Sequence, residues 1–230
     1  MVVNAGNSFT GDPVNSIIAG QREKSGAVKG KLIHISGGGN FIDFGTSGNF
    51  NPNDKVWNDA KEEHIKAIRK DMFNGQSDVP VLEAGSDIDT YIVCPNARTL
   101  GYVPYVGDGT AVLSTCHVLD LVDFLVKITE RAAEGPADGT AYSPYYMLET
   151  FSVPWKEMAT ELAKAMHTRG IFRSPEPKMV PFGKAGEGEV KHLVAANMLM
   201  KGDRAVAMGF KPRQPSVLEQ IHEDLRVVPI

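Results

Sequence analysis

The stretch that decides the fold reads Lys31-Leu-Ile-His-Ile-Ser36 and leads directly into Gly37-Gly38-Gly39. Its apolar residues are almost continuous, which is typical of a strand buried on both faces of a parallel sheet. Two other segments have the same character, Met1-Val-Val-Asn-Ala-Gly6 and Asp89-Thr-Tyr-Ile-Val-Cys-Pro95. We therefore predict an α/β protein built on a parallel sheet, in which these three segments are strands.

Helical patterns alternate with these strands, and a shorter helix-rich region follows them. The clearest helix begins near His117 and ends at Gly135-Pro136, with apolar residues at helical spacing. Further helices are predicted from Asp12 to about Ser25, from Asn58 or Asp59 to about Phe73, and from about Pro154 to His167. A strand from Tyr146 to Leu148, a hairpin over Tyr102–Thr115 that turns at Gly107-Asp108-Gly109, and a long loop over 40–58 complete the predicted elements.

Composition narrows the class of protein. The chain has 230 residues, a formal net charge of −4 and 42% hydrophobic residues, which suits a folded globular protein. Its lysines and arginines are scattered, so no basic face for nucleic acid is predicted. No apolar run is long enough to span a membrane, and the N-terminus does not resemble a signal peptide. We therefore expect a soluble cytoplasmic protein that binds neither nucleic acid nor membranes.

Ser36 is the strongest candidate for a functional residue. A hydroxyl at the carboxyl end of a central parallel strand lies where open α/β sheets bind ligands, and there it would orient a substrate carbonyl or hydroxyl. A serine bonded to neighbouring backbone is an equally good interpretation. The three glycines that follow do not have phosphate-loop spacing, so we interpret them as a place where the backbone passes close to another group.

The remaining polar candidates have structural interpretations. His34 lies within a predicted buried strand and His117 at the start of a helix, and both positions are more often occupied by structural histidines than by bases. Cys94 and Cys116 lie in apolar stretches, which is typical of buried thiols in a reducing compartment. No set of histidines, cysteines or acids has metal-ligand spacing, so no metal site is predicted. Two acids of the clearest helix are assigned to its solvated face and its dipole: Asp120 and Asp123.

Several segments, in the right order, resemble the short-chain dehydrogenase/reductase superfamily, specifically its atypical or extended branch of NAD-dependent epimerases/dehydratases and nucleoside-diphosphate-sugar epimerases. Each motif alone is weakly specific, and it is their order over most of the chain that carries the resemblance. The matching segments are Val2-Val-Asn-Ala-Gly6 (fourth sheet strand), Leu32-Ile-His-Ile-Ser-Gly37 (fifth strand), Thr90-Tyr-Ile-Val-Cys-Pro95 (sixth strand), Tyr105-Val-Gly-Asp-Gly109 with His117-Val-Leu-Asp-Leu121 (hairpin and next helix), Trp155-Lys-Glu-Met158 (a substrate-lobe helix), and Asp203-Arg-Ala205, Gly209-Phe-Lys-Pro212 and Pro215-Ser-Val-Leu218 (C-terminal pattern).

The resemblance implies a function and a set of site residues. It implies NAD or NADP as cofactor and a small-molecule substrate such as a nucleotide sugar. Ser36 occupies the position of the serine or threonine that assists catalysis, and the cofactor-binding positions fall on Asn4, Ala5, Gly6 and Pro95. In these terms residues 1–135 are a partial NAD(P)-binding Rossmann-like domain, and residues 136–230 are a C-terminal substrate-side lobe.

Several features of the family have no counterpart in this sequence. The family's first three strands, with the glycine-rich turn that holds the pyrophosphate, are absent, which predicts a truncated Rossmann-like parallel sheet with flanking helices and a small helix-rich C-terminal lobe. The YxxxK pair is also absent, because no tyrosine occurs between Ser36 and Tyr91. After Pro95 the chain runs almost directly into the predicted hairpin, so a piece of the substrate lobe is expected to be missing.

Three interpretations therefore stay open. The chain is an NAD(P)-dependent oxidoreductase or epimerase that is impaired in cofactor binding and catalysis, or a non-catalytic relative that binds a dinucleotide or a protein, or an incomplete product of a longer enzyme gene. In each case the open edge of a truncated sheet would promote association, so we expect a homo-oligomer or poor solubility.

Overall fold

The computed structural model describes residues 1–24, 29–94, 103–136 and 138–227. Its strands are β1 (Val2–Asn4), β2 (Lys31–Ile35), β3 (Trp57–Asn58), β4 (Asp89–Cys94), β5 (Pro104–Tyr105), β6 (Val112–Thr115), β7 (Tyr145–Met147), β8 (Phe151–Pro154), β9 (Lys178–Met179) and β10 (Met200–Lys201). Its α-helices are α1 (Asp12–Lys24), α2 (Glu62–Lys66), α3 (Gly75–Ala84), α4 (Val118–Glu134), α5 (Trp155–Thr168), α6 (Asp203–Ala207) and α7 (Val217–Val227). Short 3-10 helices span Gly38–Phe41, Phe182–Lys184 and Gly188–Val194.

The centre of the fold is a parallel sheet of four strands in the order β1-β2-β4-β7. Helices cover both of its faces, which confirms the predicted α/β class and gives a Rossmann-like arrangement. The strand that decides the fold, β2, lies between β1 and β4 and is buried on both sides. Among the described residues nothing pairs with the outer side of β1, so this strand forms one edge of the sheet.

The two faces of the sheet pack against different helices. Leu32 and Ile92 belong to one buried cluster together with residues of α1 and α3. Ile33 and Val93, which point to the opposite face, belong to a second cluster with Phe124 and other residues of α4. This alternation explains the continuous apolar pattern, because every second residue of each central strand is buried on a different face.

The predicted hairpin over Tyr102–Thr115 is wrong in its pairing. The chain does turn at the predicted place, where Gly107 and Gly109 have φ of +59° and +74°. The two arms of the turn pair elsewhere, however: β5 runs parallel to β9, and β6 runs antiparallel to β8. Because β8 and β9 lie far away in the sequence, a local pattern predicts the turn but not the partners. Tyr102 itself lies outside the described residues.

The predicted helix from Asn58 or Asp59 to Phe73 is also wrong. That region holds only the five residues of α2, and a longer helix, α3, follows it. Neither Asn58 nor Asp59 caps α2, because both side chains bind the region around α6 instead. The pattern of α3 is obscured by Pro80 within the helix and by polar residues that turn out to be buried.

Asp120 is not on a solvated face. Its side chain is only 2% exposed, and its carboxylate accepts hydrogen bonds from the backbone N–H groups of Arg213 (2.9 Å) and Gln214 (3.4 Å). It therefore fastens the C-terminal segment to α4, a role that the sequence prediction missed. Asp123 is exposed as predicted. His117 caps α4, since its Nδ1 accepts a hydrogen bond from the backbone N–H of Leu119 at 3.1 Å.

The predicted domain boundary at residue 135 stays a prediction. The strand β7 lies beyond that boundary and pairs with β4 in the central sheet. Other boundaries agree with the sequence within a residue or two: α1 ends at Lys24, and α5 spans Trp155–Thr168. Ser25 and Pro95, the predicted ends of a helix and a strand, lie outside the described residues. None of the described helices has the length and apolar character needed to cross a membrane.

Candidate functional site

Ser36 follows the last residue of β2, at the carboxyl edge of the sheet. Its backbone N–H donates to the carbonyl oxygen of Val93 at 2.7 Å, which continues the parallel ladder to β4. Its side chain lies close enough to the Cys94 thiol to act against the rise that burial causes in the pKa of that thiol. Even so, the buried Ser36 Oγ forms no well-directed hydrogen bond with any described residue. A buried hydroxyl without a partner is uncommon, and here it lies where open α/β sheets bind ligands.

The glycines after Ser36 make room for neighbouring side chains. A β-carbon on Gly37 would lie 3.2 Å from Asn74 Oδ1, and one on Gly39 would lie 2.7 Å from Phe73 Cβ. A β-carbon on Gly38 would lie 2.8 Å from the sulfur of Met198. The close approach that the sequence predicted is therefore present, and the neighbours are side chains of the protein.

Beside this turn, Asp78 of α3 forms the centre of a buried polar network. Its carboxylate accepts a hydrogen bond from Tyr145 Oη at 2.8 Å and one from Asn40 Nδ2 at 2.9 Å. Burial, together with the adjacent Asp78 carboxylate, raises the pKa of Tyr145 well above its usual value, so the phenol stays protonated and donates. The Cys94 thiol in turn donates to Tyr145 Oη at 2.8 Å.

His34 and Asn4 extend the network toward β1. Asn4 Nδ2 lies 3.0 Å from His34 Nδ1, which must accept, so the ring hydrogen is on Nε2. That Nε2 lies 3.5 Å from Asp78 Oδ1, and both side chains are fully buried. Sequence reasoning assigned a structural role to His34, and its position between an amide and a carboxylate within the sheet agrees with that role.

The predicted cofactor-binding residues lie in different environments. The Asn4 side chain forms hydrogen bonds within the protein through both of its polar atoms, because its Oδ1 also accepts one from the Gly6 N–H at 3.1 Å. Ala5 and Gly6 are exposed at the carboxyl end of β1, and the Gly6 N–H is the group bonded to Asn4. Pro95 lies outside the described residues. Ser36, Ala5 and Gly6 thus all follow neighbouring parallel strands at one edge of the sheet.

Asn74 was missed by the sequence analysis, and it lies at the same carboxyl edge of the sheet, next to Gly37. Its backbone N–H donates to Asn40 Oδ1 at 2.8 Å, and its Nδ2 donates to Ser8 Oγ at 2.9 Å. Its Oδ1 is buried and has no hydrogen-bond partner among the described residues. Its side chain lies beside the turn that follows Ser36, since a β-carbon on Gly37 would be 3.2 Å from Asn74 Oδ1.

The two cysteines are poorly suited to nucleophilic chemistry. Burial raises the pKa of the Cys94 thiol well above its usual value and that of the Cys116 thiol to about 12. Because the thiolate is the reactive form, we expect iodoacetamide at about pH 8 to leave both thiols of the native protein unmodified, and to label both after unfolding in guanidinium. Mass spectrometry measures the labelling. Rapid labelling of Cys94 in the native protein would contradict this account of its burial.

No protein-family model matches this sequence, and no curated protein is significantly similar to it. Solved structures match it by shape. A functionally unknown conserved protein from Silicibacter pomeroyi superposes with a TM-score of 0.63 at 17% identity, and the alignment covers 97% of this chain and 76% of that one.

Two NAD-bound enzymes also superpose on the chain. The dTDP-glucose 4,6-dehydratase of Bacillus anthracis has a TM-score of 0.52 at 11% identity, over 85% of this chain and 60% of the enzyme. The UDP-glucuronic acid 4-epimerase of Bacillus cereus has a TM-score of 0.54 at 10% identity, over 93% of this chain and 65% of the enzyme. The chain shares their fold. It spans less than two thirds of the length of each of these two enzymes.

Proposed function

We propose that the chain is an NAD(P)-dependent epimerase/dehydratase-like oxidoreductase in which the 230 residues hold the cofactor weakly and lack the usual acid–base pair. Its ligand site is the carboxyl edge of the sheet around Ser36, with Ala5 and Gly6 beside it. The ligands are the nicotinamide half of NAD or NADP and a small molecule such as a nucleotide sugar. The fold that the chain shares with two NAD-bound enzymes supports this choice of ligands.

One observation carries the proposal: the buried Ser36 Oγ has no well-directed partner among the described residues. Leaving a buried hydroxyl unpaired costs about 1–3 kcal/mol, and a ligand that supplies a hydrogen bond would recover part of that cost. Ser36 lies at the position where parallel α/β sheets bind ligands. The hydroxyl would hold a ligand carbonyl or hydroxyl in place there, as the sequence analysis predicted from the end of this strand.

The acid–base chemistry of this site differs from that of a tyrosine–lysine pair. In that chemistry the tyrosine exchanges a proton with the substrate, and the lysine lowers its pKa. A carboxamide such as that of Asn74 neither takes up nor releases a proton near neutral pH. Asp78 is negative when ionised and is enclosed by Tyr145 and Asn40. The proposal is therefore that hydride transfer by this route is impaired.

Calorimetric titration of the purified chain with NAD, NADP and dTDP-glucose tests the proposal. No glycine-rich pyrophosphate turn occurs in these 230 residues, so we expect dissociation constants of about 1 mM or weaker, which is roughly 4 kcal/mol of affinity. We expect Ser36→Ala to weaken binding further, by about fivefold, since one hydrogen bond is lost. The exposed Ser16→Ala is the matched control and should change nothing. Low-micromolar binding of NAD or NADP to the wild type, or equal binding by Ser36→Ala and Ser16→Ala, would contradict the proposal.

A non-catalytic protein-binding relative is the second candidate, and the outer edge of β1 favours it. Val3 is 49% exposed on this strand, and no described residue pairs with its outer side. We expect the chain to self-associate, and Val3→Lys to shift it toward the monomer, because lysine on an edge strand opposes further pairing. Light scattering after gel filtration measures the mass. Val206→Lys, at an exposed valine of α6, is the control. A wild-type monomer at about 100 µM would remove this candidate.

A further inference from the structure

A cavity of about 440 Å³ lies between α5 and the parallel pair of β5 and β9. Its floor is formed by three apolar side chains that are at most 8% exposed, Val103, Ala163 and Val180. None of the described residues that line it belongs to the central sheet or to the edge around Ser36. The volume falls within the range of about 300–1,000 Å³ that is typical of small-molecule sites.

Backbone hydrogen bonds hold the floor of this cavity in place. The Lys178 N–H donates to Val103 O at 3.1 Å, and the Val180 N–H donates to Tyr105 O at 2.9 Å, so β9 is fastened to β5. Lys178 and Val180 are two residues apart along an extended segment and therefore point to the same side, toward α5. Because Ala163 contributes only a methyl group, α5 leaves room above this segment.

The chain turns back after α5 and supplies a wall of the cavity. The turn is made at Gly170, whose φ is +73°. The N–H groups of Ile171 and Phe172 then donate to Met166 O at 3.0 and 3.4 Å, and Phe172 O lies 3.0 Å from His167 Nδ1. These bonds hold the half-buried Phe172 against the cavity, so its aromatic wall is formed by the protein itself.

The rim of the cavity is polar and locally basic. Lys178 and Lys184 lie on it, together with Ser174 and Glu176. Neither Lys178 nor Glu176 forms an ion pair with a described residue. The segment that builds the wall and the rim, residues 168–188, has four basic side chains and two acidic ones, in a chain whose net charge is −4. The local excess of positive charge favours a negative group at this rim.

We propose that this cavity binds a small carboxylic acid with an apolar tail. The tail lies on the apolar floor against Phe172, and the carboxylate lies at the rim, where the Lys178 ammonium donates to it and Lys184 adds its positive charge. About ten non-hydrogen atoms, each with roughly the volume of a water molecule, occupy about 300 Å³, which the cavity accommodates. Glu176 opposes the carboxylate and weakens its binding. The proposal is independent of the ligand site at Ser36.

Titration of the isotope-labelled chain with octanoate, followed by two-dimensional NMR, tests the cavity. We expect a dissociation constant of about 1 mM or tighter at low salt, with shifts concentrated at the amides of Phe172, Lys178 and Val180. Octylamine has the same tail with a positive head group, so it should bind at least tenfold more weakly. Acetate has the same head group without the tail, so it should not bind at about 10 mM.

Variants of the lining residues separate the head group from the tail. Lys178→Gln should weaken octanoate binding about fivefold, because the carboxylate loses a charged donor. Glu176→Gln should strengthen it about twofold, because a like charge is removed. Ala163→Leu places a larger side chain on the floor and should weaken it at least tenfold. Lys211→Gln changes an exposed lysine outside the cavity and is the control.

Equal binding of octanoate to the wild type and to Lys178→Gln would overturn the proposal, and so would equal binding of octanoate and octylamine. The absence of octanoate binding at about 10 mM, or shifts concentrated around Ser36, would overturn it as well. Circular dichroism checks that Ala163→Leu is folded. If it is not, Lys178→Gln still decides the matter, because the replaced side chain is exposed. NAD takes no part in these titrations, so their outcome is separate from that of the function proposed above.

Discussion

Replacing Asp78 with alanine is expected to lower the free energy of unfolding by about 3–5 kcal/mol, because it removes the acceptor of a buried polar network. Tyr145 Oη and Asn40 Nδ2 would lose their hydrogen-bond partner inside the protein. The Nε2 atom of His34 would lose the carboxylate that lies 3.5 Å from it. Urea denaturation followed by circular dichroism measures the change.

Two further variants distinguish the effect of losing the hydrogen-bond network from the effect of losing a negative charge alone. Asp78→Asn keeps one acceptor oxygen and should cost less than the alanine variant, since one of the donors keeps its partner. Asp123→Ala removes an exposed carboxylate and should change the unfolding free energy by less than about 0.5 kcal/mol. If Asp78→Ala were as mild as Asp123→Ala, the network would not stabilise the sheet, and the arrangement of α3 described above would be wrong.

Replacing Asp59 with alanine is expected to lower the free energy of unfolding by about 3 kcal/mol, since its carboxylate accepts hydrogen bonds from three backbone donors, two of them buried and one partly buried. These are the N–H groups of Met147 (3.0 Å), Arg204 (2.7 Å) and Ala205 (3.2 Å). Burial raises the pKa of Asp59, while these donors act in the opposite direction. The side chain ties the end of the sheet to α6, and its loss should free the C-terminal segment.

Hydrogen exchange distinguishes this loss from a general destabilisation. In Asp59→Ala we expect the amides of α6 to exchange faster than those of β2 under conditions where the protein stays folded, because the bonds that are lost belong to α6. Asp123→Ala again serves as the control. Uniform exchange across α6 and β2, or an unfolding free energy equal to that of the wild type, would show that Asp59 does not fasten α6.

The sequence predicted those parts of the fold whose pattern is local. The strand β2 was found from a continuous apolar run because it is buried on both faces of the sheet, and α4 was found from apolar residues at helical spacing because one of its faces is buried. The pairing of β6 with β8 was missed because the partners, such as Thr115 and Phe151, are far apart in the chain. Hydrophobic periodicity contains no information about such distant contacts.

The candidate site was predicted only in part for the same reason. Ser36 was found because it directly follows a recognisable strand. Asn74 and Asp78 were missed because their helix contains Pro80 and has no apolar period, and because Asp78 binds Tyr145, 67 residues away. Nothing in the local sequence pattern marks either residue as buried or functional.

The most direct test of the central claim is an NMR titration of the isotope-labelled chain with NAD to about 5 mM, read from backbone amide shifts. The account predicts shifts in fast exchange that are concentrated at Ala5, Gly6, Ser36 and Gly37, with half-saturation at about 1 mM or above. Shifts concentrated away from the carboxyl edge of the sheet, or saturation at low micromolar NAD, would contradict it.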